Sequence, residues 1–156
     1  MKQTFDFLLM LVMVATVLSC KKSEPELTPA QKIVGKYKVT ANTSTENGVV
    51  EDNLIGRKAC QADDITEFTT DGKILDSEGA TACTPPRGLS QPIPYSISAD
   101  GKTLTLTFTS SSGVVEKEDF VISALTGTIL AFGNTRTETN AGVTTTRSFS
   151  VTFTKI

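Results

Sequence analysis

The chain has 156 residues, a formal net charge of −2, and neither His nor Trp. That length suits one domain, or one domain with a targeting segment, and so balanced a charge lacks the electrostatic footprint of a nucleic-acid binder. Without His, Ser-His-Asp and Cys-His catalysis are excluded, together with any His-ligated zinc or iron site. Hydrophobic residues make up 38%, low for a globular chain but well above a disordered composition. Threonine occurs 25 times, which favours strands, because β-branched side chains suit a pleated surface.

The N-terminus reads MKQTFDFLLMLVMVATVLSC. From Phe7 to Leu18 it is apolar except for Thr16. A bilayer-spanning helix needs about 20 such residues, so this run has the length of a signal-peptide core instead. It ends at Val17-Leu18-Ser19-Cys20, and polar sequence follows at once. A small residue before Cys at that point resembles the lipobox of bacterial lipoproteins. The resemblance implies cleavage before Cys20 and lipid attachment to its sulfur and new α-amine, with Lys21 resembling the outer-membrane class. An ordinary secretory signal with a chance cysteine is the alternative. Several acyl chains on one cysteine would make release negligible, at about 0.8 kcal/mol per buried CH₂. The expected layout is a leader over 1–19, a lipid anchor and solvated tether over 20–30, and a folded domain over 31–156.

Thr28-Pro29-Ala30-Gln31-Lys32-Ile33 reads as a short helical turn with Thr28 as N-cap and Pro29 at the first position. Period-two patterns dominate the rest. Tyr37 and Val39 alternate with Lys36, Lys38 and Thr40. Asp71-Gly72 and Asp100-Gly101 signal hairpins, the first joining strands near 64–70 and 73–77, the second strands near 92–98 and 102–109. Ile93, Tyr95 and Ile97 alternate before the second turn, and Leu104, Leu106 and Phe108 after it. Ser110 to Gly113 turns the chain into Phe120, Ile122 and Ala124. Thr126-Gly127 turns it into Leu130 and Phe132, and Asn140-Ala141-Gly142 into a last strand carrying Phe149, Val151 and Phe153. Residues 42–56 and 78–91 read as long loops.

Three cysteines look odd for an exported chain. If Cys20 takes lipid, Cys60 and Cys83 remain as a pair, and an exported domain favours a disulfide between them over two buried thiols. Closing about 24 residues gives roughly 3 kcal/mol in the chain-entropy model. No C-x-x-C spacing points to a metal or a redox centre, and no cofactor is expected.

Eight sequential antiparallel strands leave an edge problem that closure into an up-and-down barrel removes. A β-sandwich is the competing arrangement. The interior of an eight-stranded barrel is filled by side chains or holds one small ligand.

Gly35-Lys36-Tyr37 after a helical turn resembles the Gly-x-Trp opening of lipocalins, with Tyr in place of Trp. The run from Cys60 to Gly72 with Cys83, then Tyr95-Ser96-Ile97, Asp100 to Leu104, Ile122 to Leu125 and Phe149 to Phe153, looks like the bacterial lipocalin-like lipoproteins. This resemblance spans about 31–156 and implies an all-β, eight-stranded barrel on a lipid anchor, with no defined activity. In lipocalins a basic residue near the last strand packs on the opening Trp, and Arg147 would take that role on Tyr37.

The leading expectation is an envelope-anchored binding module for a small apolar or amphipathic molecule. Tyr37, Val39, Phe68, Tyr95, Leu106, Phe108, Phe132 and Phe149 are its candidate ligand residues. The alternative is a filled barrel with a structural or protein-interaction role, in which the loops 42–56 and 78–91, with Arg87, form the contact surface. No enzyme is expected: Asp63 and Asp64 are adjacent in an extended chain and diverge, and Glu116 to Asp119 reads as the solvated start of a strand.

Overall fold

The computed structural model describes residues 25–85 and 91–156. The expected leader, Cys20, the first part of the tether and Arg87 lie outside the described residues. The elements run α1 (Pro29–Ile33), β1 (Gly35–Glu46), β2 (Val49–Asp52), α2 (Ala59–Ala62), β3 (Ile65–Phe68), β4 (Lys73–Ser77), β5 (Ile93–Ile97), β6 (Thr103–Thr109), β7 (Val115–Leu125), β8 (Ile129–Asn140) and β9 (Val143–Lys155). Helix α1 thus takes in Pro29 and Ala30 at the end of the expected tether.

The strands pair antiparallel in the order β1-β3-β4-β5-β6-β7-β8-β9, and β9 returns to β1. This is the closed eight-stranded up-and-down barrel that the alternation and Asp-Gly turns imply. Closure matters because period-two patterning buries only one face, and a ring gives that face an interior while leaving few edges. The seam is extensive: β1 and β9 pair from Tyr37↔Lys155 to Glu46↔Arg147, with a bulge between Val39 and Ala41. The bulge shifts the alternation, so Tyr37 and Val39 face inward before it and Asn42 and Ser44 after it.

One expectation is corrected. Residues 42–56 do not form a simple loop. Thr43–Glu46 pairs with β2, from Thr43↔Asp52 to Glu46↔Val49. The hairpin turns on Asn47-Gly48, both at positive φ (49° and 87°), as a two-residue type I′ connection requires. Its arms escape the alternation test because β2 is exposed throughout. β2 is a ninth strand, outside the ring.

The closed end is plugged by α1. Its N-terminus carries the capping box: Gln31 N donates to Thr28 Oγ1 (3.3 Å) and Thr28 N to Gln31 Oε1 (2.9 Å). Ile33, Tyr37, Phe68, Leu104 and Leu130 are the most deeply buried large side chains. Tyr37 meets Phe68 and Phe153 edge-on, with centroids 5.6 and 6.4 Å apart, and its hydroxyl donates to the Ile33 carbonyl at 2.9 Å.

The basic residue on Tyr37 is not Arg147. Lys155 Nζ lies 5.6 Å from the ring centroid, while Arg147 pairs with Glu46. The register decides this, since Tyr37 is the cross-strand neighbour of Lys155 and Arg147 sits at the other end of β9. Gly35 makes room for the lysine: a Cβ there would overlap the Lys155 side chain.

The expected disulfide is present. Cys60, on the one-turn helix α2, bonds Cys83, with Cα atoms 5.2 Å apart. It ties the segment before β3 to the connection after β4.

Candidate functional site

Inside the barrel, above the plug, lies a cavity of about 360 Å³. This is near the lower end of the 300–1,000 Å³ range of small-molecule sites. Of the candidate ligand residues, Val39, Phe68, Leu106, Phe132 and Phe149 line it. Tyr37, Tyr95 and Phe108 do not. Tyr37 is fully buried in the plug. Tyr95 turns its hydroxyl to the Thr69 carbonyl at 2.9 Å, at the closed-end turn between β3 and β4. Burial raises both phenols above their ordinary pKa.

Alternation on strands already identified could have supplied Ile74, Phe120, Val151 and Phe153, which also line the wall. The polar members are Asn42, Thr66 and Asp76, and Thr66 Oγ1 donates to Asp76 Oδ1 at 3.0 Å. Asn42 depends on the β1 bulge, which no sequence signal marks. The rings support one another: Phe132 stacks on Phe153 (5.7 Å, 19°) and meets Phe120 edge-on (5.5 Å).

A second hollow of about 290 Å³ lies toward the open end, and Phe149 lines both. Its polar rim includes Glu118, Asn134, Arg136, Glu138 and Arg147. Glu118 accepts from Arg136 Nη2 at 2.6 Å and from Asn134 Nδ2. Arg147 donates through Nε and Nη2 to Glu46, both at 3.3 Å. That pairing holds the guanidinium above its ordinary pKa, mainly through the hydrogen bond to Glu46. Arg136 and Arg147 are direct cross-strand neighbours, an unfavourable pairing of like charges that the two glutamates offset.

The reading of Glu116 to Asp119 as a solvated strand start needs correction at one residue. The alternation that buries Phe120 also turns Glu118 inward, and its side chain is only 26% exposed. Asp119 points the other way and accepts from Thr105 Oγ1 at 2.7 Å.

Asp63 and Asp64 do not converge with each other or with the nearby Glu67. Asp63 accepts from Thr81 N (2.9 Å), Asp64 lies 3.9 Å from Arg57, and Glu67 lies 3.8 Å from Lys36. Among the described residues no cluster of three or more Cys, Asp or Glu has a metal-holding arrangement. The site is therefore an aromatic-walled hollow under a rim of ion pairs, suited to holding a molecule with an apolar end and a polar end. Comparison of the chain with family models, with curated proteins and with solved structures found no match.

Proposed function

We propose that this protein is a lipocalin-like lipoprotein of the bacterial envelope that binds a small apolar or amphipathic molecule inside its barrel. In this reading Cys20 carries the lipid, the segment after it is the tether, and the outer membrane is the site of anchoring. The role is binding, not catalysis. The observation that carries the proposal is the cavity of about 360 Å³ walled by Phe68, Phe120, Phe132, Phe149 and Phe153. The hollow is open to solvent, so its apolar wall lacks protein contacts on that side and is left against water. An occupant supplies those contacts instead. A six-carbon tail burying its methylenes at about 0.8 kcal/mol each gains at most about 5 kcal/mol, enough for weak but measurable binding before ordering costs.

The experiment is gentle purification of the intact protein followed by native mass spectrometry, with an apolar dye-displacement titration alongside. The expected result is a co-purifying small molecule, or dye binding that Val39→Phe abolishes by filling the hollow. Absence of both in a folded protein refutes the binding role. Incorporation of labelled palmitate, lost in Cys20→Ala, tests the anchor.

One observation favours the interaction reading. β2 stands outside the ring with Val49 and Val50 about two-thirds exposed, within the segment expected to make contacts. Cross-linking in intact cells, compared with a chain in which both valines are replaced by Thr, tests it. An unchanged set of neighbours removes its support.

A further inference from the structure

We infer that the bound molecule presents a cationic head, such as a protonated amine, to Glu118 at the threshold of the cavity, with its apolar tail among the phenyl rings. This rests on the binding role proposed above and names the chemical class of the ligand.

The position of Glu118 comes first. It is the cross-strand neighbour of Leu106 and stands one inward position beyond Phe120 on β7; both neighbours line the cavity, so its carboxylate sits on the inner face at the edge of the apolar wall. Phe120 and Phe149 flank this threshold with centroids 6.5 Å apart, and aromatic faces attract cations electrostatically.

The pairing at Glu118 is asymmetric. The glutamate side chain is 26% exposed, whereas that of Arg136 is 61% exposed. The acid is the held member, and the guanidinium reaches it from the solvent side. An incoming ammonium can take over the Arg136 contact while Arg136 turns outward into water at little cost. Asn134 can keep its own hydrogen bond to Glu118 throughout.

The surrounding charge points the same way. Among the described residues, Glu118 and Glu138 on the rim and Glu46 and Glu51 beside it outnumber Arg136 and Arg147. Clefts lined mainly by one sign concentrate ligands of the other. A carboxylate head would have to share Arg136 or Arg147 with the glutamate already paired to it, and so lie beside that acid.

The test is calorimetric titration of the intact protein in bilayer nanodiscs, with empty nanodiscs as blank. Three probes share one tail: hexylammonium, hexanol and hexanoate. Hexylammonium should bind about tenfold more tightly than hexanol, the scale of one partly desolvated cation contact, and hexanoate most weakly. Added salt should narrow the gap. Glu118→Gln should abolish the ammonium advantage while leaving hexanol binding intact, which also shows that the variant folds. Arg136→Met should strengthen hexylammonium binding by removing its competitor. Hexanoate binding as tightly as hexylammonium, or an unchanged order in Glu118→Gln, overturns the cationic head and leaves the cavity role standing. Failure of all three probes to bind overturns both.

Discussion

Replacing Tyr37 by Phe should loosen the closed end of the barrel. Tyr37 is wholly buried, and its hydroxyl reaches two carbonyls of α1, Ile33 at 2.9 Å and Lys32 at 3.3 Å. Helix α1 has five residues, so its terminal carbonyls have no further helical turn to bond. Ile33 is itself fully buried, and losing the phenol leaves its oxygen without that donor. Stranding a buried acceptor costs about 1–3 kcal/mol, and about 2 kcal/mol lowers Tm by roughly 6 °C for a domain of this size. The ring contacts with Phe68, Phe153 and Lys155 survive in Phe and vanish in Ala, so Tyr37→Ala should cost about 3–5 kcal/mol. Urea denaturation gives both values, and hydrogen exchange should localise the Phe effect to Ile33–Tyr37. Alkaline pH supplies an independent readout. Burial holds the Tyr37 phenol above its ordinary pKa, so the native state keeps a proton that the unfolded chain loses. That contribution is complete below about pH 10 and fades as pH rises through the folded value. Tyr37→Phe should therefore flatten the alkaline limb, with Tyr95 still contributing. A Phe variant within about 0.3 kcal/mol of the parent, with the same alkaline limb, would refute this account of the plug.

The turn between β8 and β9 places Ala141 at φ 49°, a conformation that costs a side chain about 1 kcal/mol, so Ala141→Asn should raise stability by about 0.5–1 kcal/mol in denaturant melts. A Cβ at Gly133 would overlap the Phe149 carbonyl oxygen, whereas one at Gly127 meets nothing within 4 Å. Gly133→Ala should thus cost over about 2 kcal/mol, and Gly127→Ala about 0.5 or less. Asp71 and Asp100 have lowered pKa values, chiefly through side-chain hydrogen bonds with Lys73 and Ser98 respectively. Their stabilisation is present above about pH 4 and is lost as pH falls through the lowered folded values. In Asp100→Asn the acid limb of a Tm–pH profile should be shallower. Replacing Cys60 and Cys83 together by Ser should cost about 3 kcal/mol in denaturant melts, with the native barrel signature retained in circular dichroism.

The ring of strands was legible because its signals are local. Asp71-Gly72 and Asp100-Gly101 mark reversals, and the alternating Ile93-Tyr95-Ile97 and Phe149-Val151-Phe153 mark buried faces. Cysteine parity gave the Cys60–Cys83 bond without geometry. The β1–β2 arm was not legible, because an exposed hairpin carries no apolar period and Asn47-Gly48 lies between polar threonines and a short valine pair. The site was half legible. Alternation names inward residues but not their height along the barrel, so in sequence Tyr37 and Tyr95 look like Phe132, although they belong to the plug or beside it. Height depends on the register between β1 and β9, which also decided that Lys155 and not Arg147 covers Tyr37. Glu118 reads as solvated within its charged run until the depth of the nearby Phe120 is known.

The seam between β1 and β9 makes the cylinder a late achievement of the chain. Thr40 meets Thr152 and Thr154 across sequence separations of 112 and 114 residues, and the Ile156 amide donates to the Lys36 carbonyl at 2.9 Å. No ring exists until β9 has been made, so a nascent chain passes through an open sheet with its apolar face uncovered. The same adjacency means that joining Lys36's neighbourhood to the tail, and cutting at the Ala141–Gly142 tip, would reorder the strands in sequence without moving them in space.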